Sequence, residues 1–491
     1  MTTVSIDLRR PLGELDRRVF GGFVEHLGRC IYGGLYEEHS PLSDERGFRR
    51  DVLALLGDLR LSVLRWPGGN FVSNYHWQDG IGPKDERPVR PELAWGGTES
   101  NRFGTDEYID YCRALGAEPY ICLNMGSGSL EEALAWVEYC NSDRPTYWAD
   151  KRRQNGHDEP HNVSWWGLGN EIYGAWQVGA MSAEEYVAEA TRWGRAIKMI
   201  DPKARLVSCG ELGWTDWDLR VIDGLASLVE LHSIHLYTGS EDYWTNVLTP
   251  HAAERAIATA ATALQRAAYT QRLAEAPRLV YDEWNVWFRN MTGALEERYV
   301  FHDALAVGAY LNIFVRNCAW VKMANLAQMV NAIAPIVTTS KTAVVQPIYY
   351  PFLLASSGHQ AIAIDAYVDG ATVEAPEEWI GNPRRTRGMH GLGPFDLVDV
   401  AATCDAARSK VALSMVNRSE HSEQVDVVLR QGAFAADATL RCVTGDGTPA
   451  AVPGVEAAQL QEGSAPHKDA TVSVTLPPRS YVLMEARIAG A

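Results

Sequence analysis

The sequence has no cysteine pattern. Its eight cysteines (Cys30, Cys112, Cys122, Cys140, Cys209, Cys318, Cys404 and Cys442) are scattered, with no pair at metal-ligand or redox spacing, so they read as free, mostly buried thiols. It is also short of positive charge. Against 62 acidic residues stand 45 basic ones, and the net charge of −17 repels a phosphate backbone, which excludes nucleic acid as a partner. No apolar run approaches the ~20 residues of a membrane span. The opening Met1-Thr2-Thr3-Val4-Ser5-Ile6-Asp7 lacks the basic flank and apolar core of a secretion signal, so a cytoplasmic location is expected. His157 and His161 are four apart, but Pro160 between them marks a loop rather than a ligand-bearing helix, and no metal is expected there.

What is present is a length of 491 residues, 46 % hydrophobic and 22 % charged, enough for one large globular domain and a smaller companion. From Phe20 to Pro347, short apolar runs alternate with stretches at helical spacing. The strand candidates are Val19–Glu25, Leu61–Arg65, Pro119–Asn124, Ser164–Gly169, Arg205–Cys209, Leu231–His235, Arg278–Glu283 and Cys318–Met323. Helix candidates between them include Phe48–Leu59, Thr105–Leu115, Leu130–Asn141, Ala183–Ile200, Ala252–Leu273 and Tyr299–Arg316. This order predicts an α/β fold, a (β/α)8 TIM barrel over residues 19–350. An open doubly wound sheet is the alternative, but the glycine-rich phosphate turn expected after its first strand is missing. The insertion Ser73–Asn101, rich in Trp, Gly, Pro and charge, suits a loop over a sugar site. After Pro351 the texture changes to alternating strands such as Val411–Asn417, Val425–Leu429, Thr439–Val443 and Ala470–Leu476, which predicts a jelly-roll-like β-sandwich over 351–491. The alternating run Thr3–Leu8, within residues 1–18, is expected to join that sandwich as a strand.

Working residues of such a barrel sit at the C-terminal ends of its strands. Two carboxylates end apolar runs there, Glu171 after Trp165-Trp166-Gly167-Leu168-Gly169-Asn170 and Glu283 after Arg278-Leu279-Val280-Tyr281-Asp282. Glycoside hydrolysis needs such a pair, one protonating the leaving oxygen while the other attacks the anomeric carbon or activates water. A separation of about 5–5.5 Å means retention, and about 6.5–9.5 Å means inversion.

Several blocks then carry a resemblance. Phe20-Gly21-Gly22-Phe23-Val24-Glu25-His26-Leu27-Gly28-Arg29, Arg65-Trp66-Pro67-Gly68-Gly69-Asn70-Phe71-Val72-Ser73, Gly167 to Glu171, Ser233-Ile234-His235-Leu236-Tyr237 and Tyr281-Asp282-Glu283-Trp284-Asn285-Val286-Trp287 occur in one order. Over nearly its whole length the chain resembles the α-L-arabinofuranosidases of glycoside hydrolase family 51. The resemblance implies a retaining, exo-acting enzyme with Glu171 as acid/base and Glu283 as nucleophile. It implies that Glu25, Asn70, Asn170, His235, Tyr237 and Gln346 hold the furanose hydroxyls, with Trp95 and Trp287 as pocket walls and Arg65 as a cation beside the nucleophile. Glu171 is expected to have a raised pKa, as an acid working near neutrality must. The resemblance further implies arabinofuranosyl oligosaccharides as substrates, no cofactor, and a homo-oligomer, often a hexamer. The sequence departs from the family directly after the acid/base, where Ile172-Tyr173-Gly174-Ala175-Trp176 replaces a common Met-Asp-Gly-Pro-Trp run, and at Thr238, often a tyrosine. Both changes touch leaving-group preference rather than the chemistry.

The competing readings are another retaining glycosidase on the same barrel, such as a β-xylosidase or endoglucanase, and a non-catalytic sugar-binding protein. The latter has no use for two strand-end carboxylates. The sandwich shows few exposed aromatics, which favours a structural role over carbohydrate binding.

Overall fold

The computed structural model describes residues 2–445, 447 and 457–489; the rest of the expected sandwich region lies outside the described residues. Eight parallel strands close into a barrel in chain order: Gly21–Phe23, Val63–Trp66, Glu118–Cys122, Trp165–Leu168, Arg205–Ser208, Leu231–Thr238, Arg278–Val286 and Val321–Ala327. These are the eight expected strands, the last displaced toward the C-terminus. Inside the barrel, Val63, Tyr120, Trp165, Val207, Leu231, Val280 and Met323 form a closed apolar plug. The barrel therefore has a packed floor, and its free volume is at the strand ends.

Helices Thr105–Leu115, Leu130–Asn141 and Ala183–Ile200 fall where the apolar spacing puts them. The side chain of Ser182 accepts from the backbone of Glu185, whose own carboxylate returns to the Ser182 N–H, and this reciprocal cap fixes the start of the third. Helix Tyr349–Gly358 crosses the expected boundary at residue 350. Its Phe352, Leu354 and Ala355 bury into the barrel core, and the Tyr349 hydroxyl donates to the Leu55 carbonyl, so the barrel's own packing runs to the end of this helix.

The C-terminal domain is one mostly antiparallel sheet of ten strands. Thr2–Glu14 lies within it, antiparallel to Ile362–Asp369 on one side and parallel to Glu423–Leu429 on the other. A separate core contains Val4, Ile364, Val400, Leu413, Val427, Ala438, Val474 and Met484. Strands from both ends of the order contribute to it, which requires the sheet to fold over on itself as a sandwich. Between domains, Arg418 donates to Asp399, Arg316 bonds both Asp399 and Glu254, and His251 is 2.9 Å from Glu254. Among the described residues no helix is long and apolar enough to cross a membrane.

Candidate active site

Two local departures from regular structure aim the paired glutamates. On the seventh barrel strand, Val280 faces the interior plug while the Tyr281 hydroxyl reaches outward to the Ala253 carbonyl of a covering helix. Simple alternation would turn Glu283 outward with Tyr281. The register against the sixth strand shifts between Tyr281 and Glu283, and this bulge brings two consecutive acids, Asp282 and Glu283, to the inner side. On the fourth strand the chain turns at Gly169 (φ 81°) and then holds Glu171 itself at φ 42°. A non-glycine residue in that region costs on the order of 1–3 kcal/mol and persists only where its surroundings hold it.

The surroundings do so. The Glu171 carboxylate has His235 Nδ1 at 3.0 Å, accepts from the Tyr173 hydroxyl at 3.3 Å, and takes the Trp176 indole N–H at 3.1 Å. Glu283 accepts from Arg65 Nη1 at 2.9 Å and from the Tyr237 hydroxyl at 2.7 Å, and His235 Nδ1 is 3.6 Å from its other side. One oxygen of Glu171, one of Glu283 and a nitrogen of His235 all lie within 4.8 Å of one another. That spacing matches the short carboxylate separation of retaining chemistry.

Burial pushes Glu171 up, but the hydrogen bond and charge of His235, with the Trp176 and Tyr173 donors, bring it below its ordinary value. His235 is moved the other way: burial lowers it, and the charges of Glu283 and Glu171 raise it overall. The raised Glu171 pKa expected from the sequence is thus not met in the open pocket, because His235, Trp176 and Tyr173 favour the charged carboxylate. Glu25 is driven up to about 7, first by burial and then by the charge of Glu283, against the donors Phe71 N–H and Trp95 and the charge of Arg65.

Glu25, Asn70, Trp95, Glu171, His235, Tyr237, Glu283 and Trp287 line one cavity of about 430 Å³ at the strand ends. Glu25 accepts from Phe71 N–H (3.0 Å), Trp95 Nε1 (2.9 Å) and Gln328 Nε2 (2.9 Å). Trp95 comes from the long insertion, on a short hairpin pairing Arg90–Pro91 with Thr98–Glu99. At Gly69 a Cβ would come within 3.1 Å of both Glu25 and Glu283 and would press on the two carboxylates.

Three expected contact residues lie elsewhere. Arg65 is fully buried and does not line the cavity; it acts through Glu283 and through Asn170 Oδ1 at 2.7 Å. Asn170 is also outside the lining, held by that bond, and its amide nitrogen is buried with no protein partner, a donor left for a ligand hydroxyl. Gln346 is a correction. Its amide donates to the Glu297 and Ala334 carbonyls and accepts from Tyr299 N–H, so it fastens loops around the site and has nothing left for a sugar. The glutamine that lines the cavity is Gln328, directly after the eighth strand, where the strand-end rule points. Asn382, from the sandwich region, also lines it, with no signal in the local sequence. Thr238 takes the Tyr310 hydroxyl at 3.1 Å and is fully buried, and Trp284 packs against Tyr310 and Phe314 in the core.

Two family models match the chain: "Alpha-L-arabinofuranosidase 1 domain" over residues 55–255 and "Alpha-L-arabinofuranosidase C-terminal domain" over 282–480. Alpha-L-arabinofuranosidase C of Emericella nidulans is 45 % identical over 419 residues, 82 % of each chain. An intracellular exo-alpha-(1->5)-L-arabinofuranosidase of Halalkalibacterium halodurans is 38 % identical over 76 % of this chain and 79 % of its own. The solved structure of the thermostable GH51 α-L-arabinofuranosidase of Thermotoga petrophila superimposes with a TM-score of 0.92 at 38 % identity, covering 99 % of this chain and 100 % of that one. With the barrel, the folded-over sheet and the glutamate pair in hand, these likenesses are decisive: the chain belongs to the α-L-arabinofuranosidases of glycoside hydrolase family 51.

Proposed function

We propose that this enzyme removes terminal α-L-arabinofuranosyl groups from arabino-oligosaccharides with retention, Glu283 attacking the anomeric carbon and Glu171 serving as acid and then base. The single observation that carries these roles is the approach of the two carboxylates to within 4.8 Å, with one imidazole between them.

Glu283 accepts from Arg65 and from the Tyr237 hydroxyl, and these two donors orient its carboxylate for attack. As the ester to the sugar forms, Glu283 loses its negative charge. That charge helps keep the proton on His235, so its loss releases the proton across the 3.0 Å contact to Glu171 and on to the departing oxygen. Water then enters and Glu171 takes its proton as the water oxygen bonds to the anomeric carbon, while the bond from that carbon to Glu283 breaks and the carboxylate is restored. Asn170 and Glu25 hold sugar hydroxyls. Polar groups placed in this way reject a sugar that leaves them unpaired. No metal is needed for either step.

The name of the Halalkalibacterium relative supports an α-1,5 linkage and a cytoplasmic location for this enzyme too, acting on short imported oligosaccharides. A homo-oligomer completes the reading, and light scattering of the purified protein tests it. The activity is tested by hydrolysis of 4-nitrophenyl α-L-arabinofuranoside beside the β-D-xylopyranoside and β-D-glucopyranoside. Selective release from the arabinofuranoside, lost in Glu283→Ala, is the expected result. Preference for a pyranoside would overturn the specificity, and inactivity on all three would return the sugar-binding reading.

A further inference from the structure

The turn that carries the acid/base also reaches the end of the second strand. From Glu171 the chain stays tightly wound to Gln177: Gly174 N–H donates to the Glu171 carbonyl at 2.7 Å, and Gln177 N–H donates to the Gly174 carbonyl at 2.9 Å. Directly beyond, the chain is pinned against the loops that follow the second and third strands. A Cβ at Gly126 would sit 2.4 Å from the carbonyl oxygens of both Ser73 and Val178, so the lack of a side chain there lets the three segments meet. The Ser127 N–H adds a bond to the Ser73 carbonyl at 2.9 Å.

This packing delivers Gln177 to Asn70. Gln177 is buried, and its carboxamide bonds the side chains of Ser73 and Asn70. Ser73 is buried as well, and its hydroxyl makes no other hydrogen bond among the described residues, so its single proton goes to Gln177 Oε1 at 2.7 Å. With that oxygen taken, Gln177 turns its amine to Asn70 Oδ1. Asn70 in turn presents its own amine to the cavity it lines with Glu25, Glu171 and Glu283. Asn170 is set in the same sense by a different partner: Arg65 Nη2 donates to its oxygen at 2.7 Å, and its Nδ2 keeps no protein partner.

We propose that Gln177 is a positioning residue for the furanose pocket, fixing the Asn70 carboxamide with its amine toward the sugar so that a hydroxyl is read there by its oxygen. The inference rests on the arabinofuranosidase reading above. A sugar hydroxyl both accepts and donates. When its oxygen takes the Asn70 amine, its hydrogen is left for a carboxylate, and the cavity supplies those in Glu25, Glu171 and Glu283. An Asn70 free to turn would present its oxygen instead, compete with the carboxylates for the same hydrogen, and leave the hydroxyl oxygen unpaired.

Gln177 does not line the cavity, so the test separates positioning from folding. It measures kcat/KM on 4-nitrophenyl α-L-arabinofuranoside and on its 2-deoxy, 3-deoxy and 5-deoxy analogues, in wild type, Gln177→Met, Gln177→Ala, Asn70→Ala and the double variant Asn70→Ala/Gln177→Met. Gln177→Met keeps the length of the side chain, adds no charge and removes the amide. It lowers kcat/KM on the parent glycoside about fivefold to tenfold, the worth of one neutral hydrogen bond, and Gln177→Ala does so by at least as much. The loss vanishes in the Asn70→Ala background. It vanishes also on the deoxy glycoside that lacks the hydroxyl Asn70 holds, and persists on the other two. A merely structural Gln177 would slow all four substrates alike and add its loss to that of Asn70→Ala; either result overturns the proposal, as does a Gln177→Met rate within twofold of wild type. Wild type inactive on the parent arabinofuranoside overturns the arabinofuranosidase reading, and this one with it.

Discussion

Two of the buried clusters of charge, one at the barrel mouth and one between barrel and sandwich, are built from the same residue types to opposite effect. Between the domains, Asp399 and Glu254 meet Arg316, Arg418 and His251, so each carboxylate has a guanidinium beside it. Although burial raises both acids, the neighbouring cations hold Asp399 far below its ordinary range, and His251 and Arg316 bring Glu254 to about 2. At the mouth, Glu25, Glu171, Asp282 and Glu283 share Arg65 and His235 among the described residues. There burial wins for Glu25, which sits at about 7, and for Asp282, also raised, while Asn170 Nδ2 makes no hydrogen bond. A buried cluster with its charges matched holds a structure together. One left short of cations stores the means to bind and to move a proton.

That contrast can be broken by mutation. The largest effect falls at the mouth: Glu283→Ala lowers kcat by a factor on the order of 10^4 or more while the melting temperature holds or rises, since an unmatched charge has been removed. If the melting temperature collapses instead, the mouth is as structural as the interface. Asp399→Ala does the reverse. It strands two buried guanidiniums and destabilises by about 3–5 kcal/mol in chemical denaturation, with kcat of the folded enzyme changed little.

A pH series sharpens the comparison. Glu25 has a folded pKa above its unfolded one, so its protonated form favours the folded state below about pH 4.5, and that contribution is lost as pH rises through about 7. The loss amounts to about 3 kcal/mol, and Glu25→Gln removes that slope from a denaturation series between pH 4.5 and 8. A slope that survives the substitution assigns it to another group. His235 predicts a kinetic counterpart: since its pKa is raised, activity is lost on the alkaline side, and His235→Asn moves that limb to lower pH in the kcat/KM profile. The smallest effect belongs to Gln346→Ala, which forfeits loop hydrogen bonds worth about 1–3 kcal/mol of stability and leaves KM for the arabinofuranoside within about twofold. A large rise in KM would return this residue to the substrate.

How much of this was legible in the sequence depended on the range of the interaction responsible. Apolar periodicity located all eight barrel strands and the ends of helices such as Leu130–Asn141, because those depend on neighbours a few residues away. Ser480–Arg487 was not named from the sequence, although Pro477-Pro478 marks the turn before it; it supplies Tyr481 and Leu483 to the larger core cluster, a long-range contact that local pattern does not encode. Strand-end position pointed to Glu171 and Glu283, yet alternation alone would have turned Glu283 away, and only the bulge reconciles them. Gln346 and Gln328 are alike in sequence context; which one faces the cavity depends on loop packing across some 50 residues of chain, between Glu297 and Gln346. Asn382 reaches the mouth from another domain, and no local pattern encodes that.

The position of the first strand has a consequence for biosynthesis. Thr2–Glu14 leaves the ribosome before either of its sheet partners, Ile362–Asp369 and Glu423–Leu429, which are made hundreds of residues later. The barrel can close around its own strands in the meantime, since chains fold as they emerge. The first strand, with Val4 and Ile6 on its apolar side, must wait unpaired until those partners arrive, and it then joins them into one sheet. Removing it would leave two new sheet edges in the middle of the finished domain, surfaces open to pairing between molecules.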